Sequence, residues 1–157
     1  LYQPEVDLEK LEIVGVEALL RWRHPDKGLV SAADFIMLAE ETSLILEIGG
    51  WVLEQSLRQA VEWAKVAPDR KPLNVKVNLS PRQLNQRDLA QRVADLLRTT
   101  GAAPEWLTLE LTETALVGDP ETAHAVMGEL HALGVGLAID DFGTGYSALG
   151  RLKDLPI

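Results

Sequence analysis

Three carboxylates and one amide stand out by where they fall in short apolar segments: Glu17 in VGVEALLRW, Asn78 in LNVKVNLS, Glu110 in LTLELT and Asp140 in VGLAID, with Asp141 directly after the last. Three or four carboxylates brought to one place repel one another unless they are protonated or neutralised by cations. Oxygen-only ligands, in a chain with 0 Cys and only 3 His, favour a hard ion such as Mg²⁺ or Mn²⁺. Two such ions on shared carboxylates form a clamp for in-line attack of water on a phosphodiester. Taken singly, each residue has a plainer reading. A strand-end Glu is usually just solvated, Asp140 and Asp141 suit the turn at Gly143, and Asn78 ahead of Ser80-Pro81 suits another turn.

The joint pattern depends on the elements that carry these residues. In Leu73 to Ser80, Leu73, Val75, Val77 and Leu79 alternate with Asn74, Lys76, Asn78 and Ser80; in Leu107 to Thr112, three leucines alternate with Thr108, Glu110 and Thr112. Val14 to Trp22 reads as one strand with Gly15, Glu17, Leu19 and Arg21 on one side, and Val135 to Asp140 opposes Val135, Leu137 and Ile139 to Gly136, Ala138 and Asp140. A sheet covered by helices on both faces reads as nearly continuous Val, Ile and Leu. Strands with one apolar and one polar or small face, helices packing on the apolar side only, suit a barrel whose interior ends in a polar site at the strand C-termini.

Helices fill the intervals. Ser31 is placed to cap a helix, with Asp34 three residues on; a longer one spans about Leu46 to Val66, stopped by the Pro68 to Pro72 loop. Leu89 to Leu97 is followed by Gly101, and Asp119-Pro120 opens a helix that runs to Leu133 and stops at Gly134. Ser147 to Lys153 reads as a short last helix, and Leu1 to Leu8 as a first strand weakened by Pro4. The order β-then-α argues for a mainly parallel α/β sheet in one domain.

Composition narrows the function. The chain has 157 residues, 46% hydrophobic and 25% charged, with 15 Lys plus Arg against 24 Asp plus Glu and a net charge of −9. Such acidity opposes a polymeric nucleic-acid partner. The lack of cysteine excludes a disulfide scaffold, a thiolate zinc site and a thiol nucleophile. No run reaches the 18 or so apolar residues of a membrane span, so no membrane contact is expected from this segment; a cytoplasmic location is expected for it, with any membrane anchor of the parent protein in other domains. The three histidines, His24, His124 and His131, add nothing to a carboxylate metal site; His124 and His131, on one helix far from the strand C-termini, read as structural or surface residues. The DFGTGYS stretch from Asp141 to Ser147 matches neither phosphate-binding glycine motif; it is a tight turn or a loop that orders around a ligand.

Together EALLRW, VNLS at Val77 to Ser80, ELTE at Glu110 to Glu113 and DDFGTGYS at Asp140 to Ser147 resemble the EAL domain, a family of bacterial cyclic di-GMP phosphodiesterases; YQP at Tyr2 to Pro4 and LKDLP at Leu152 to Pro156 fit its flanks in the same order. The resemblance implies a TIM-like barrel with one antiparallel strand, and hydrolysis of cyclic di-GMP to linear pGpG with two Mg²⁺ or Mn²⁺ ions. By the same resemblance Glu17, Asn78, Glu110 and Asp140 hold the first ion. Asp140 bridges to the second, with Asp141 a further ligand. Arg21 contacts a substrate phosphate, Gln3 touches a guanine edge, and Glu113 steadies the loop around Gly143 to Tyr146.

Such barrels take about 250 residues, so residues 1–157 are expected to be the N-terminal two-thirds of the domain, a partial barrel lacking its last strands. Both ends read as cut from a longer chain. The family's water-orienting lysine and a later glutamate fall beyond Ile157, and Lys153 is no substitute. Little or no activity is therefore expected from this segment alone. A sensory or GGDEF domain upstream and a homodimer are the expected partners. Two other functions remain open: a catalytically silent EAL domain serving as a cyclic di-GMP receptor or interaction module, and an unrelated phosphate-handling barrel.

Overall fold

The computed structural model describes residues 1–112, 115 and 119–140. Their strands β1 (Tyr2–Asp7), β2 (Glu12–Ala18), β5 (Asn74–Leu79), β6 (Leu107–Thr112) and β7 (Gly136–Asp140) form one sheet in the order β1-β2-β5-β6-β7. β1 runs antiparallel to β2, and every later pairing is parallel. Pro4 is accommodated because β1 lies at an edge of this sheet, where a missing N–H costs no ladder bond.

The connections are helical, as the repeating order requires. α1 (Ile36–Glu41) and α2 (Leu44–Val66) link β2 to β5; α3 (Pro81–Leu84) and α4 (Leu89–Thr100) link β5 to β6; α5 (Pro120–Ala132) precedes β7. Two of the boundaries have a plain chemical cause. Gly101, at φ 77°, ends α4 in the left-handed conformation that glycine adopts without strain. Asp119 caps α5, its side chain accepting from the Thr122 N–H, with Pro120 at the first helical position.

The sheet is two-faced. Val75, Val77, Leu79, Leu107, Leu109 and Leu111 are all buried and join Leu53, Leu57, Val93, Val126, Met127 and Leu130 of the helices in a single core. The alternate residues look the other way, with burial in β6 switching at every position.

Two expectations about the N-terminal half need correcting. Val14 to Trp22 is not one strand: β2 ends at Ala18, and Arg21 opens a separate antiparallel hairpin of β3 (Arg21–His24) with β4 (Gly28–Ser31), turned by Gly28 at φ 72°. Beyond Ala18, Leu19 and Leu1 exchange a last pair of hydrogen bonds, the Leu19 amide donating to the Leu1 carbonyl (2.8 Å) and the Leu1 amine to the Leu19 carbonyl (3.0 Å), which closes the β1–β2 pair. Ser31 does cap a helix, accepting from the Ala33 N–H, but the helix is a single 3₁₀ turn over Ala32–Asp34. The short final helix expected over Ser147 to Lys153 lies outside the described residues.

Candidate functional site

The parallel register sets the polar face in rows. Gln3 pairs with Glu17 and Glu17 with Lys76, which neighbours Thr108. Asn78 pairs with Glu110, and Glu110 with Ala138. Thr112 pairs with Asp140 in the next row. Glu17, Asn78, Glu110 and Asp140 therefore stand at or near the C-terminal ends of four adjacent parallel strands, with Gln3 beside them on the antiparallel one. On β7 the lack of a side chain at Gly136 makes room for the neighbouring Thr108, whose Oγ1 would lie 2.6 Å from a Cβ there.

Two contacts organise the face. The Asn78 amide Nδ2 donates to Glu17 Oε1 at 2.8 Å, tying β5 to β2. Lys76 Nζ lies 3.3 Å from Glu110 Oε1 and also pairs with Glu5 of β1. Glu110 is well enclosed, its side chain only 12% exposed against 36% for Glu5. Burial pushes its carboxyl above the usual range; Lys76 pulls it back, while the charges of Glu17 and Asp140 push it further up. Glu17 and Asp140 thus both act electrostatically on Glu110. Lys76 is raised in turn, chiefly by its hydrogen bond to Glu5, against the opposing effect of burial.

Among the described residues no three His, Cys, Asp or Glu side chains are gathered into a ready cage for a metal. Glu17 is engaged by Asn78, and Glu110 by Lys76. Asp141 and Glu113, both expected at the site, lie outside the described residues. The donor set itself, carboxylate and amide oxygens without sulfur or imidazole, suits a hard divalent cation.

Arg21 sits apart from the row of acids. Its Nη1 donates to the Leu20 carbonyl at 2.7 Å, and it lines a small cavity of about 100 Å³ with Tyr2, Leu19, Leu20 and Trp51. Four of its five N–H donors are not used in that bond, so the guanidinium retains a fork for an anion. A larger cavity of about 850 Å³ lies between the start of β2 and the end of α2, at the opposite end of the sheet. It is lined by none of these acids, so here the side-chain chemistry marks the site and cavity size does not.

Alternation puts Lys76 on the polar face of its strand, yet sequence reasoning assigned it no role and passed over Glu5 altogether. The signal for Lys76 was a lone cation among acids of the same parity; for Glu5 there was none, because its partner lies two strands away.

An EAL domain family model matches residues 1–157. The chain is 43% identical over 155 residues to the bifunctional diguanylate cyclase/cyclic di-GMP phosphodiesterase MucR of Pseudomonas aeruginosa, covering 99% of this chain and 22% of that protein. It is 40% identical over 157 residues to the cyclic di-GMP phosphodiesterase PA2567 of the same organism, covering 100% of this chain and 26% of that one. The chain thus spans about a quarter of the length of these curated relatives. Among solved structures, the PaMucR phosphodiesterase in complex with c-di-GMP superposes with a TM-score of 0.91 at 42% identity, covering 99% of this chain and 62% of that one.

Proposed function

The chain belongs to the EAL domain family, and on that premise we propose that residues 1–157 supply the N-terminal two-thirds of a TIM-like barrel that hydrolyses cyclic di-GMP to linear pGpG. One observation carries the reading: four neighbouring parallel strands put Glu17, Asn78, Glu110 and Asp140 on one polar face at one end of the sheet. That is the end where barrel enzymes do their chemistry.

Glu17, Glu110, Asp140 and the Asn78 side-chain oxygen would hold one Mg²⁺ or Mn²⁺, and Asp140 with Asp141 a second. Bound there, the ions supply Lewis-acid stabilisation of the charge that develops on the phosphoryl oxygens. The remaining roles belong to the chain itself. Arg21 clamps a substrate phosphate by charge-assisted hydrogen bonds, Gln3 reads a guanine edge from β1, and Glu113 steadies the loop that begins at Asp141. Asn78 holds the Glu17 carboxylate in place while the site is metal-free. The relative that combines cyclase and phosphodiesterase in one polypeptide supports a GGDEF or sensory domain as the partner of this one.

The test is Glu17→Ala in the full-length protein, assayed for Mg²⁺-dependent conversion of cyclic di-GMP to pGpG. Loss of turnover with retained secondary structure is the expected result. A variant that hydrolyses at the wild-type rate refutes the assignment.

A further inference from the structure

We propose that Lys76 is the resident counter-ion of the carboxylate site: a positioning residue that competes with a divalent cation for Glu110, with its grip set by Glu5 from across β2. The inference rests on the proposed metal-dependent function and adds a determinant of cation affinity to it.

The geometry is a three-strand bridge. Glu5 lies on β1, Lys76 on β5, and β2 runs between them. Neighbouring strands are about 4.8 Å apart, so the two side chains meet only if nothing stands on the face of β2 at the crossing. The residue opposite Glu5 there is Gly15. A Cβ at Gly15 would come within 3.1 Å of Glu5 Oε2 and 3.0 Å of the Asn74 carbonyl oxygen. The missing side chain is the opening through which the ion pair forms.

Lys76 therefore has two anionic partners, Glu5 on one side and Glu110 at 3.3 Å on the other. Glu110 is the more enclosed, its side chain 12% exposed against 36% for Glu5. Asn78 and Glu17 flank the lysine on the same face, and Asp140 adds its charge from β7. An ammonium so placed offsets part of the carboxylate repulsion before any metal arrives. A dication that takes Glu110 must first displace it. Glu5 is the alternative seat to which the ammonium retreats.

Three variants of the full-length protein, with Mn²⁺ affinity read by calorimetry and folding by circular dichroism, test this. Lys76→Met keeps the length of the stem and removes the charge; it is expected to tighten Mn²⁺ binding roughly tenfold, because a unit charge a few ångströms away is removed from a partly enclosed site. Glu5→Gln removes the alternative seat and is expected to weaken binding several-fold. In the Lys76→Met background the same Glu5→Gln change is expected to have little further effect, since Glu5 acts through the lysine. Lys76→Met with wild-type affinity overturns the proposal. So does a Glu5→Gln effect of equal size in both backgrounds, which would make Glu5 an independent charge. A wild-type protein that binds neither Mn²⁺ nor Mg²⁺ instead overturns the metal-dependent function on which the proposal stands.

Discussion

The Asn78 amide and the Glu17 carboxylate, 61 residues apart in sequence, are joined by a 2.8 Å hydrogen bond across the β2–β5 pair. The bond turns two candidate ligands toward each other and gives Asn78 a task that aspartate cannot do. Replacing the amide by a carboxylate removes the donor and sets a second negative charge against Glu17. Asn78→Asp is expected to lower the stability of the metal-free protein by about 1 kcal/mol, less than is usual for a hydrogen bond to a charged group because the contact is exposed. Added Mg²⁺ should narrow the gap, since a dication can bridge the two carboxylates. Urea unfolding with and without Mg²⁺ measures both.

Leu109 and Glu110 are adjacent and face opposite ways, so their substitutions should part company. Leu109 is fully buried beneath the helices, and Leu109→Ala should cost about 2–5 kcal/mol of stability, read as a lower urea midpoint.

Glu110→Gln should do the reverse. Burial holds the Glu110 carboxyl above its ordinary range, so between the unfolded and native values the folded chain binds more protons than the unfolded one. Wild-type metal-free stability therefore falls as pH rises through that interval. Glu110→Gln should abolish this decline, leaving a protein at least as stable as wild type at neutral pH but impaired in metal binding. Thermal unfolding across the pH range, in chelator, checks the sign.

Much of this arrangement was legible in the sequence, for a physical reason: a two-faced strand writes its register into a period of two. β6 spans Leu107–Thr112 as the alternation implies, and β5 and β7 differ from expectation by a residue at their ends. The parity of Glu17, Glu110 and Asp140 followed from the same rule. Alternation says nothing, however, about where a strand stops being paired. The apolar run through Leu19 and Leu20 carried the reading of β2 past Ala18, although the Asp26-Lys27-Gly28 turn signal marks the β3–β4 hairpin. The Glu5–Lys76 pair was invisible for a different reason. It depends on strand order and on an absent side chain at Gly15, neither of which is a local property.

Gly49 and Gly50 are neighbours in α2 with opposite tolerances. A methyl group on Gly49 would overlap the side-chain amide of Gln83, whereas one on Gly50 meets nothing within 4 Å. Gln83 is buried and completes a capping box with Ser80: its side-chain oxygen accepts from the Ser80 N–H at 3.2 Å, and the Ser80 hydroxyl accepts from the Gln83 N–H at 3.3 Å. That box fixes the turn two residues after Asn78. Gly50→Ala should stabilise by up to about 1 kcal/mol through helix propensity alone. Gly49→Ala should instead destabilise by about 1–3 kcal/mol, the usual cost of overpacking. Adding Gln83→Ala should relieve part of that loss, so the double variant is less unstable than the two single effects combined.

Asp119 provides a pH signature remote from the acids of the site. Its carboxylate accepts from the Thr122 N–H at 3.2 Å at the start of α5, and hydrogen bonding to Thr122 holds it below the usual carboxylate range. A native value lower than the unfolded one means that this cap stabilises fully above the unfolded value and is lost as pH falls through the native one. Asp119→Asn keeps an oxygen acceptor for the cap but cannot titrate. It should therefore flatten the acid limb of the stability profile, while Asp119→Ala lowers stability at neutral pH. Hydrogen exchange of the α5 amides at a pH below the ordinary carboxylate range, compared between wild type and Asp119→Asn, separates loss of the cap from any event at the carboxylate site, because only the former is confined to the first turn.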